Sequence, residues 1–413
     1  MSKVVAGVVG FDEALAVVLT HAADLAAPAT ELIPLLDSNN RVLAKPVLAD
    51  RDQPPFDRST RDGFAVRAAD FGDGPLKIAG RVRAGEQWEG LALQPGTAIG
   101  IMTGAPIPEG ADAVVMVEHV ERADGTIRPA GGRTIRSGEN IVRRGSEAGA
   151  GQVVLPAGTL MESAEIALAA ACGSPALTVF RRPKVAIVAT GDELVEIDAV
   201  PEPQQIRNSN SYGLASLVSR AGGEAVRLPT APDRRAELEE IMRSARRCDL
   251  MLLSGGVSMG EYDLVEEVLE RLGAEFFFTG VRMQPGKPVV FGRLPAAGGL
   301  PSQFFFGLPG NPVSTQVTFH CFVEPLLRAM VGAEVQGPRF AQATLAEDVT
   351  GKPGLMRVLP ARLTADRVRP EVRLVSWQGS GDLAANARAN CYAVLPPEIE
   401  RFAAGDVITI LLR

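Results

Sequence analysis

The stretch that decides the fold is LMLLSGGVSMGEYD, residues 250–263. Four apolar residues are followed by ten that hold three glycines, two serines and two acids. Because glycine loses more conformational freedom on folding than any other residue, so dense a run needs a physical reason. One reason is a tight turn that joins a buried strand to a helix. The other is a ligand that approaches the bare backbone.

The residues around this stretch alternate between short apolar runs and amphipathic segments. We predict strands at 184–189, 224–228, 249–253, 275–279, 289–294 and 303–307, and helices at 212–221, 234–247, 262–272 and 312–330. Such alternation predicts a mostly parallel sheet that is covered by helices on both faces. Sheets of this kind bind ligands outside the carboxyl ends of their strands.

Three glycine-rich loops leave strand ends at that edge of the predicted sheet. They are TGDEL (190–194), SGGVSMGEYD (254–263) and GLPGNPVS (307–314). In the last loop, Asn311 is a good N-cap and Pro312 suits the first position of the helix that follows. One such loop is weak evidence, because tight turns also need glycine, whereas three loops at one edge favour a ligand site.

The segments on either side of this region have a different pattern. Residues 46–147 hold short apolar runs with frequent glycine and proline, which predicts an all-β module. Residues 335–413 predict a second β module, and residues 11–27 and 163–171 predict helices. The fold class is therefore multidomain: a central α/β domain, an N-terminal all-β module and a C-terminal β-barrel-like module.

Composition and charge exclude several classes of function. The chain has 413 residues, a formal net charge of −7 and 5% aromatic residues, which argues against nucleic-acid binding. No apolar run approaches the roughly 18 residues of a membrane span, so we expect neither a membrane segment nor a secretory signal. The cysteines and histidines are too scattered to indicate a disulfide framework or a zinc site. Reduced thiols in a cytoplasmic protein are the expectation.

Four acids at two of the strand ends could hold a divalent cation. Asp192 and Glu193 follow the strand at 184–189, and Glu261 and Asp263 follow the strand at 249–253. Hard carboxylate oxygens suit Mg²⁺, which keeps several waters and bridges substrate phosphates. The alternative for each acid alone is that it caps the turn that follows it.

Lys287 offers a positive charge near the same edge. It lies between Gly286 and Pro288 and could meet a phosphate as a point charge, although a solvated loop lysine is the commoner fate. The glycines before it do not form a P-loop, because their spacing is wrong and a proline stands where the motif needs Ser or Thr.

The N-terminal β module holds weaker candidates. Asp62 and Thr103 each precede a glycine and fit plain turns as well as a site. A group of four arginines in this acidic chain could bind an anion or form a solvated face: Arg133, Arg136, Arg143 and Arg144.

Taken together, these stretches resemble the MoeA family of molybdopterin molybdenumtransferases, whose eukaryotic relative is the E domain of gephyrin. The matching motifs follow the family order over nearly the whole chain. They are STRDGFAV (59–66), IMTGAPIPEGAD (101–112), GENIVRRG (138–145), VLPAGT (154–159), ATGDEL (189–194), SGGVSMGEYD (254–263), PGKPVVFG (285–292), GLPGNPVS (307–314) and GSGDLAANARAN (379–390).

The resemblance implies an activity and an assembly. The family inserts molybdate into adenylylated molybdopterin with Mg²⁺ and releases AMP. It forms elongated homodimers, with an active site between the α/β domain of one subunit and the all-β module of the other. The resemblance also implies transient contact with the molybdopterin adenylyltransferase. The implied domains are 1–29 with 179–331 (α/β), 30–48 with 148–178 (connecting), 49–147 (all-β) and 332–413 (C-terminal β).

Motif positions carry the family's site residues onto this chain. The implied catalytic residues are Asp62, Thr103, Glu193, Asp263 and Lys287, with Glu193 and Asp263 as metal ligands. The expected substrate-binding residues are Arg143, Gly255, Gly256, Ser258, Gly286, Pro309, Gly310, Asn311, Pro312, Ser380 and Asp382. The chain departs from common family residues at Glu147, Asp233, Gln284 and Phe64, so it is open whether the first three keep the roles of the residues they replace.

Three rival interpretations stay open at this point. The adenylyltransferase that makes the adenylylated pterin shares the sheet and the glycine loop, but it lacks the STRDGFAV and GSGDL modules that this chain has. A non-catalytic scaffold of the same fold is disfavoured by the retained acids and lysine. A paralogue that handles tungstate is not distinguishable from sequence, because tungstate matches molybdate in charge and nearly in size.

Overall fold

The structure, a computed structural model, describes residues 7–256, 264–365 and 369–413. The chain forms two compact units. The first comprises Met1–Leu32, Asn40–Ala44 and Thr178–Arg413, and the second comprises Ile33–Asn39 and Lys45–Leu177. The finer division into four domains stays a prediction.

A six-stranded central sheet organises the first unit. Its spatial order is Glu224–Arg227, Lys184–Ala189, Leu250–Ser254, Gln303–Leu308, Val290–Leu294 and Glu275–Phe278. The first four strands are parallel, and the next two pairings are antiparallel. The predicted mostly parallel sheet is therefore confirmed, and each strand agrees with its predicted range to within a residue at either end.

Helices cover both faces of this sheet. The helices of the first unit within the described residues are Phe11–Ala23, Ser209–Arg220, Arg235–Ala245, Leu264–Arg271, Pro312–Thr318, Glu324–Met330 and Leu383–Arg388. Leu250 and Leu252 pack on one side with the first of them, whereas Met251 and Leu253 pack on the other. Burial on both faces explains why the strand is a continuous apolar run rather than an alternating one. No helix in the described part of the chain is long and apolar enough to span a membrane.

Three helices differ from the sequence prediction by more than two residues or in their hydrogen bonding. The helix predicted at 11–27 ends at Ala23, and the helix predicted at 212–221 begins at Ser209. The segment predicted as one helix over 312–330 contains a π-helical turn at Phe319–Val323 between two α-helical parts. Pro325 lies just after this turn, and because proline has no N–H it cannot bond to the carbonyl four residues earlier. The regular hydrogen-bond ladder therefore breaks where a π turn can form.

The C-terminal module is a closed five-stranded barrel. Its strands in order around the barrel are Met356–Ala365, Pro370–Leu374, Phe340–Leu345, Val407–Leu412 and Cys391–Leu395, and the last pairs with the first. Met283–Gln284, which precedes the Lys287 turn, adds parallel to the first barrel strand and places Gln284 in register with Arg357. The predicted barrel-like module is thus confirmed, and it is joined to the α/β part through that short strand.

The second unit is mainly β, as predicted. Its six-stranded sheet has the order Ala113–Met116, Gly63–Val66, Thr97–Ile101, Leu76–Val82, Thr126–Pro129 and Val120–Ala123. Shorter paired strands are Val47–Leu48 with Val153–Leu155 and Arg58–Ser59 with Ile141–Val142, and the helix is Ser163–Ala171.

Gly63 allows two strands of this sheet to approach each other closely. A Cβ atom at this position would lie 1.9 Å from the carbonyl oxygen of Val115. The glycine of the Asp62–Gly63 pair is therefore required by strand packing, and not only by a turn.

We expect Gly63→Ala to lower the free energy of unfolding of the second unit by about 1–3 kcal/mol, the usual effect of overpacking. The measurement is the urea midpoint of the purified protein. Gly149→Ala is the matched control, because a Cβ there would meet only Gln152 Oε1 at 3.9 Å. Equal midpoints for the two variants would contradict the packing role of Gly63.

Candidate functional site

An open pocket of about 820 Å³ lies at the carboxyl edge of the central sheet. The three loops predicted to meet there all line it. The described residues that line it are Ala189, Thr190, Gly191, Glu193, Leu194, Ile206, Arg207, Asn208, Ser209, Asn210, Asp233, Ser254, Gly255, Gly256, Pro288, Pro309, Gly310, Asn311, Pro312, Gly381 and Leu383. A volume of this size suits a ligand larger than a single ion.

The side chain of Asn210 joins two of the loops. Its amide nitrogen donates to Ser254 Oγ at 2.9 Å and to the carbonyl oxygen of Gly310 at 2.7 Å. Asn208, two residues earlier, caps the helix Ser209–Arg220 by accepting from the Ser211 N–H. Sequence reasoning missed the link through Asn210, because only the fold places that residue between two loops.

The conformations of Gly255 and Gly256 explain part of the high glycine content of residues 250–263. Both have positive φ values, +94° and +64°, which favour glycine. A Cβ on Gly255 would lie 2.6 Å from the Thr190 carbonyl oxygen, and one on Gly256 would lie 2.7 Å from Thr190 Oγ1. The tight-turn reason is therefore confirmed for these two positions, and close approach of a ligand stays a prediction.

Glu193 lines the pocket, and its neighbour Asp192 has a structural role. Asp192 Oδ1 accepts from the Asp233 N–H at 3.2 Å, so this acid caps a turn. The Glu193 side chain is exposed and folds back over Gly191, where a Cβ would lie 2.4 Å from its carboxylate oxygen. Of the two adjacent acids, Glu193 is the one whose carboxylate accepts no hydrogen bond among the described residues and which lines the pocket.

Lys287 is exposed on a turn whose backbone is well fixed. Its carbonyl accepts from the Val281 N–H at 2.9 Å, and Pro288 beside it lines the pocket. Gly286 has φ +110°, and a Cβ there would lie 2.6 Å from the Thr318 methyl. Glycine is thus needed at position 286 for this turn. Lys287 itself is not among the residues that line the pocket.

The loop 307–314 begins a helix as predicted, although by different contacts. Asn311 occupies the N-cap position and Pro312 the first turn, but the Asn311 side chain makes no capping hydrogen bond. Instead, the carbonyl oxygen of Ser380 accepts from the Val313 N–H at 2.9 Å. Pro309 is fixed by Thr315, whose hydroxyl donates to its carbonyl at 2.6 Å.

Ser380 and Asp382 belong to the C-terminal module, and Ser380 meets this helix through its backbone carbonyl. Asp382 caps the helix Leu383–Arg388 by accepting from the Ala385 N–H at 2.9 Å, and its other oxygen accepts from the Gln378 N–H at 3.0 Å. These two bonds hold the pKa of the Asp382 carboxyl below its usual range. Gly381 and Leu383, rather than the two predicted residues, line the pocket.

In the second unit the structure brings Asp62 and Thr103 together. Asp62 Oδ1 accepts from the Thr103 N–H at 2.7 Å and from its hydroxyl at 2.9 Å. These hydrogen bonds, the backbone one first, hold the pKa of the Asp62 carboxyl below its usual range. Asp62 is therefore an exposed carboxylate that stays ionised at neutral pH.

The arginine group of the second unit is largely neutralised. Arg143 Nη1 lies 2.6 Å from Asp57 Oδ2, and Arg144 Nε lies 2.7 Å from Asp52 Oδ2. Arg133 pairs with Glu139. Two of these salt bridges have mainly exposed arginines and add little stability. Arg143 is thus held by an acid, and its proposed role in substrate binding stays a prediction.

Two predicted site residues and one further acid lie outside the described residues: Ser258, Asp263 and Glu261. In the described ranges, no group of three His, Cys, Asp or Glu side chains is arranged to hold a metal ion. Sequence reasoning also missed Thr190, whose buried hydroxyl has no hydrogen-bond partner among the described residues. The sequence shows that Thr190 is the first residue of the loop 190–194, but it does not show that the hydroxyl is buried.

We expect Thr103→Ala to raise the pKa of the Asp62 carboxyl towards its ordinary value, because one of its two hydrogen bonds is lost. The pKa of Asp62 is lower in the folded protein than in the unfolded chain, so the ionised carboxylate stabilises the fold at pH values above the unfolded pKa. This stabilisation is lost as the pH falls through the pKa of the folded protein. Carboxyl-carbon NMR titration measures the shift. Thr103→Ser keeps the hydroxyl and is the control, and an unchanged Asp62 pKa in Thr103→Ala would contradict the assignment.

Comparison with protein families covers nearly the whole chain. A model described as the MoeA N-terminal region (domain I and II) matches residues 9–173. A model described as a probable molybdopterin binding domain matches residues 186–329, which include the central sheet and its pocket. The MoeA C-terminal region (domain IV) matches residues 342–412, which include the barrel.

Individual proteins match over the same length. A molybdopterin molybdenumtransferase of Nostoc sp. is 36% identical over 376 residues, 89% of this chain and 85% of its own. One of Haemophilus influenzae is 36% identical over 392 residues, 92% of this chain and 93% of its own. The crystal structure of a molybdopterin biosynthesis MoeA protein from Pyrococcus horikoshii OT3 has a TM-score of 0.78 at 30% identity, covering 98% and 100% of the two chains. The chain therefore belongs to the MoeA family of transferases, which act in molybdenum cofactor biosynthesis.

Proposed function

We propose that this protein inserts molybdate into adenylylated molybdopterin and releases AMP in a Mg²⁺-dependent reaction. The observation that carries the proposal is the 820 Å³ pocket at the carboxyl edge of the sheet, which presents the exposed Glu193 beside tightly packed glycine loops. Its size suits a pterin nucleotide rather than a bare oxyanion. The names of the curated relatives support the same reaction class.

In this proposal the protein binds and orients two substrates and supplies no strong nucleophile. The backbone at Gly256 and Gly310 lies open to the pocket, where N–H groups can meet phosphate oxygens, whereas the Gly255 N–H donates to the Leu308 carbonyl at 3.2 Å. Lys287 adds a positive charge on a rigid turn close by. Holding molybdate against the dithiolene sulfurs would convert a bimolecular step into an effectively unimolecular one.

The donor set of the pocket fits Mg²⁺. This ion is commonly held by one or two carboxylates together with substrate phosphates and water. Glu193 supplies an exposed carboxylate that has no hydrogen-bond partner in the described ranges, and Asp263 is the second proposed ligand. When bound, Mg²⁺ would neutralise charge on the phosphate that leaves with AMP.

Asp62 and Thr103 are proposed to act in the same reaction as a preformed pair. Their hydrogen bonds keep an ionised carboxylate in one orientation, which is what a group that positions substrate needs. As in the family, we propose that the protein is a homodimer and that this pair serves the site of the other subunit. A cytoplasmic location and transient contact with the adenylyltransferase complete the proposal.

The role of Glu193 can be tested by a substitution that removes only its charge. We expect Glu193→Gln to slow AMP release from adenylylated molybdopterin by about tenfold or more, the scale of one charge-assisted contact. Because a lost ligand weakens metal binding, higher Mg²⁺ should restore part of the rate. The measurement is AMP release as a function of Mg²⁺ concentration.

Asp192→Asn is the matched control, since it changes the neighbouring acid, whose role in the structure is to cap a turn. Asparagine caps about as well as aspartate, so wild-type kinetics are expected for this variant. The metal role of Glu193 is wrong if Glu193→Gln shows the same half-saturating Mg²⁺ and maximal rate as wild type.

The shared site is tested by mixed dimers of Asp62→Ala and Glu193→Ala. If each site takes Asp62 from one subunit and Glu193 from the other, one of the two sites in a heterodimer carries neither mutation. Tagged heterodimers should then recover about half of the wild-type rate of AMP release. Activity no higher than that of the two mutant homodimers would count against the shared site.

A further inference from the structure

The C-terminal barrel has a second pocket that shares no lining residue with the first. It has a volume of about 330 Å³ and is lined by Arg362, Thr364, Glu371, Arg373, Leu374, Val375 and Arg388. This volume is at the lower end of the range that holds small ligands, about 300–1,000 Å³. We propose that this pocket binds a phosphate group, either free or carried by a small organic molecule.

The first observation is a pair of like charges that face each other across a strand ladder. Strands Met356–Ala365 and Pro370–Leu374 are antiparallel, and Arg362 lies directly opposite Arg373. Thr364, two residues along, lies opposite Glu371 on the same face. Like charges that are directly opposite destabilise a sheet, so this arrangement favours a bound counter-charge between the two arginines.

The second observation is that the positive charge of the pocket is only partly neutralised. Arg373 Nη1 lies 2.9 Å from Glu347 Oε2, outside the pocket lining. Within the described part of the chain, the side chain of Arg388, at the end of the helix Leu383–Arg388, bonds only to the Ser376 carbonyl, at 3.4 Å. Among the described residues, the side chain of Arg362 makes neither a hydrogen bond nor an ion pair. Three arginines thus line a pocket that has a single lining carboxylate, and of the three only Arg373 is paired with an acid among the described residues.

Phosphate is the ligand class that this donor set fits best. Each guanidinium presents several N–H donors in a planar fork that matches phosphate oxygens. A dianion between Arg362 and Arg373 would replace repulsion by attraction on both sides. The site uses none of the residues assigned to the proposed reaction, so it stands or falls independently of that function.

Calorimetric titration at low salt tests the site with three probes: inorganic phosphate, AMP and adenosine. We expect phosphate and AMP to bind through this pocket and adenosine, which lacks the phosphate, not to do so. Arg362→Gln should weaken phosphate and AMP binding at this site at least tenfold. Arg401→Gln changes an exposed arginine elsewhere on the barrel that pairs with Asp348, and it should leave both affinities unchanged.

Lys287→Ala separates this site from the pocket of the central sheet. Binding that survives Lys287→Ala and is lost in Arg362→Gln assigns the probe to the barrel pocket. Equal affinities for phosphate and AMP would indicate that the natural ligand is free phosphate, whereas tighter binding of AMP would indicate a phosphate ester. The proposal is overturned if neither probe binds, or if both affinities are unchanged in Arg362→Gln.

Thermal unfolding gives a second readout that does not depend on resolving two sites. Without phosphate, Arg362→Gln should unfold at the wild-type temperature or above it, because the like-charge pair is removed. Phosphate should raise the wild-type midpoint and raise that of the variant less. An equal rise in both proteins would overturn the proposal.

Discussion

The burial of both faces of the strand Leu250–Ser254 is the constraint on which the first unit depends. All five of its residues are buried, and it lies between two parallel neighbours, Lys184–Ala189 and Gln303–Leu308. Each fully buried Leu or Met side chain contributes about 1.5–3 kcal/mol relative to an exposed one. Helices must therefore cover both faces, and the chain can return to the surface only at the strand ends.

The pocket follows from this arrangement. Parallel strands end at the same edge, so the loops after all three strands must pack together there. Glycines at 255 and 256 let one loop lie against Thr190, and Asn210 fixes the second loop to the third through Ser254 and Gly310. Close packing and backbone hydrogen bonds therefore fix the Gly255–Gly256 turn and the Lys287 turn. Such preorganisation is what a reaction that depends on orientation requires.

Sequence reasoning predicted the local elements well and the non-local contacts poorly. Alternation and β-branched runs located the strands, because both faces of a parallel sheet must be apolar. The π turn at Phe319–Val323 was missed, since the apolar face continues through it and only Pro325 signals a break. Closure of the barrel depends on the pairing of Met356–Ala365 with Cys391–Leu395, which no local pattern encodes.

The candidate site shows the same division. Motif positions assigned Asp62 and Thr103 to one site, and the structure joins the two by hydrogen bonds, whereas Asp192 proves to be a cap and the role of its neighbour Glu193 stays a prediction. Asp382 looked like a ligand-binding acid, whereas both of its oxygens accept backbone hydrogen bonds in its own loop. Asn210 was not singled out in the sequence, because its bridging role depends on a contact with Gly310, a hundred residues away. Capping and binding use the same residue types, so only the fold separates them.

The most direct test of the account is turnover of the natural substrate by the wild-type protein. Purified protein would be incubated with adenylylated molybdopterin and Mg²⁺ in three reactions: one with molybdate, one with tungstate and one without an oxyanion. AMP release and the metal content of the pterin would be measured in each. The account predicts that AMP release requires the oxyanion and matches the amount of molybdenum inserted. Folded protein that binds the adenylylated pterin but releases no AMP with molybdate would contradict it, and release with tungstate alone would assign the pocket to tungstate.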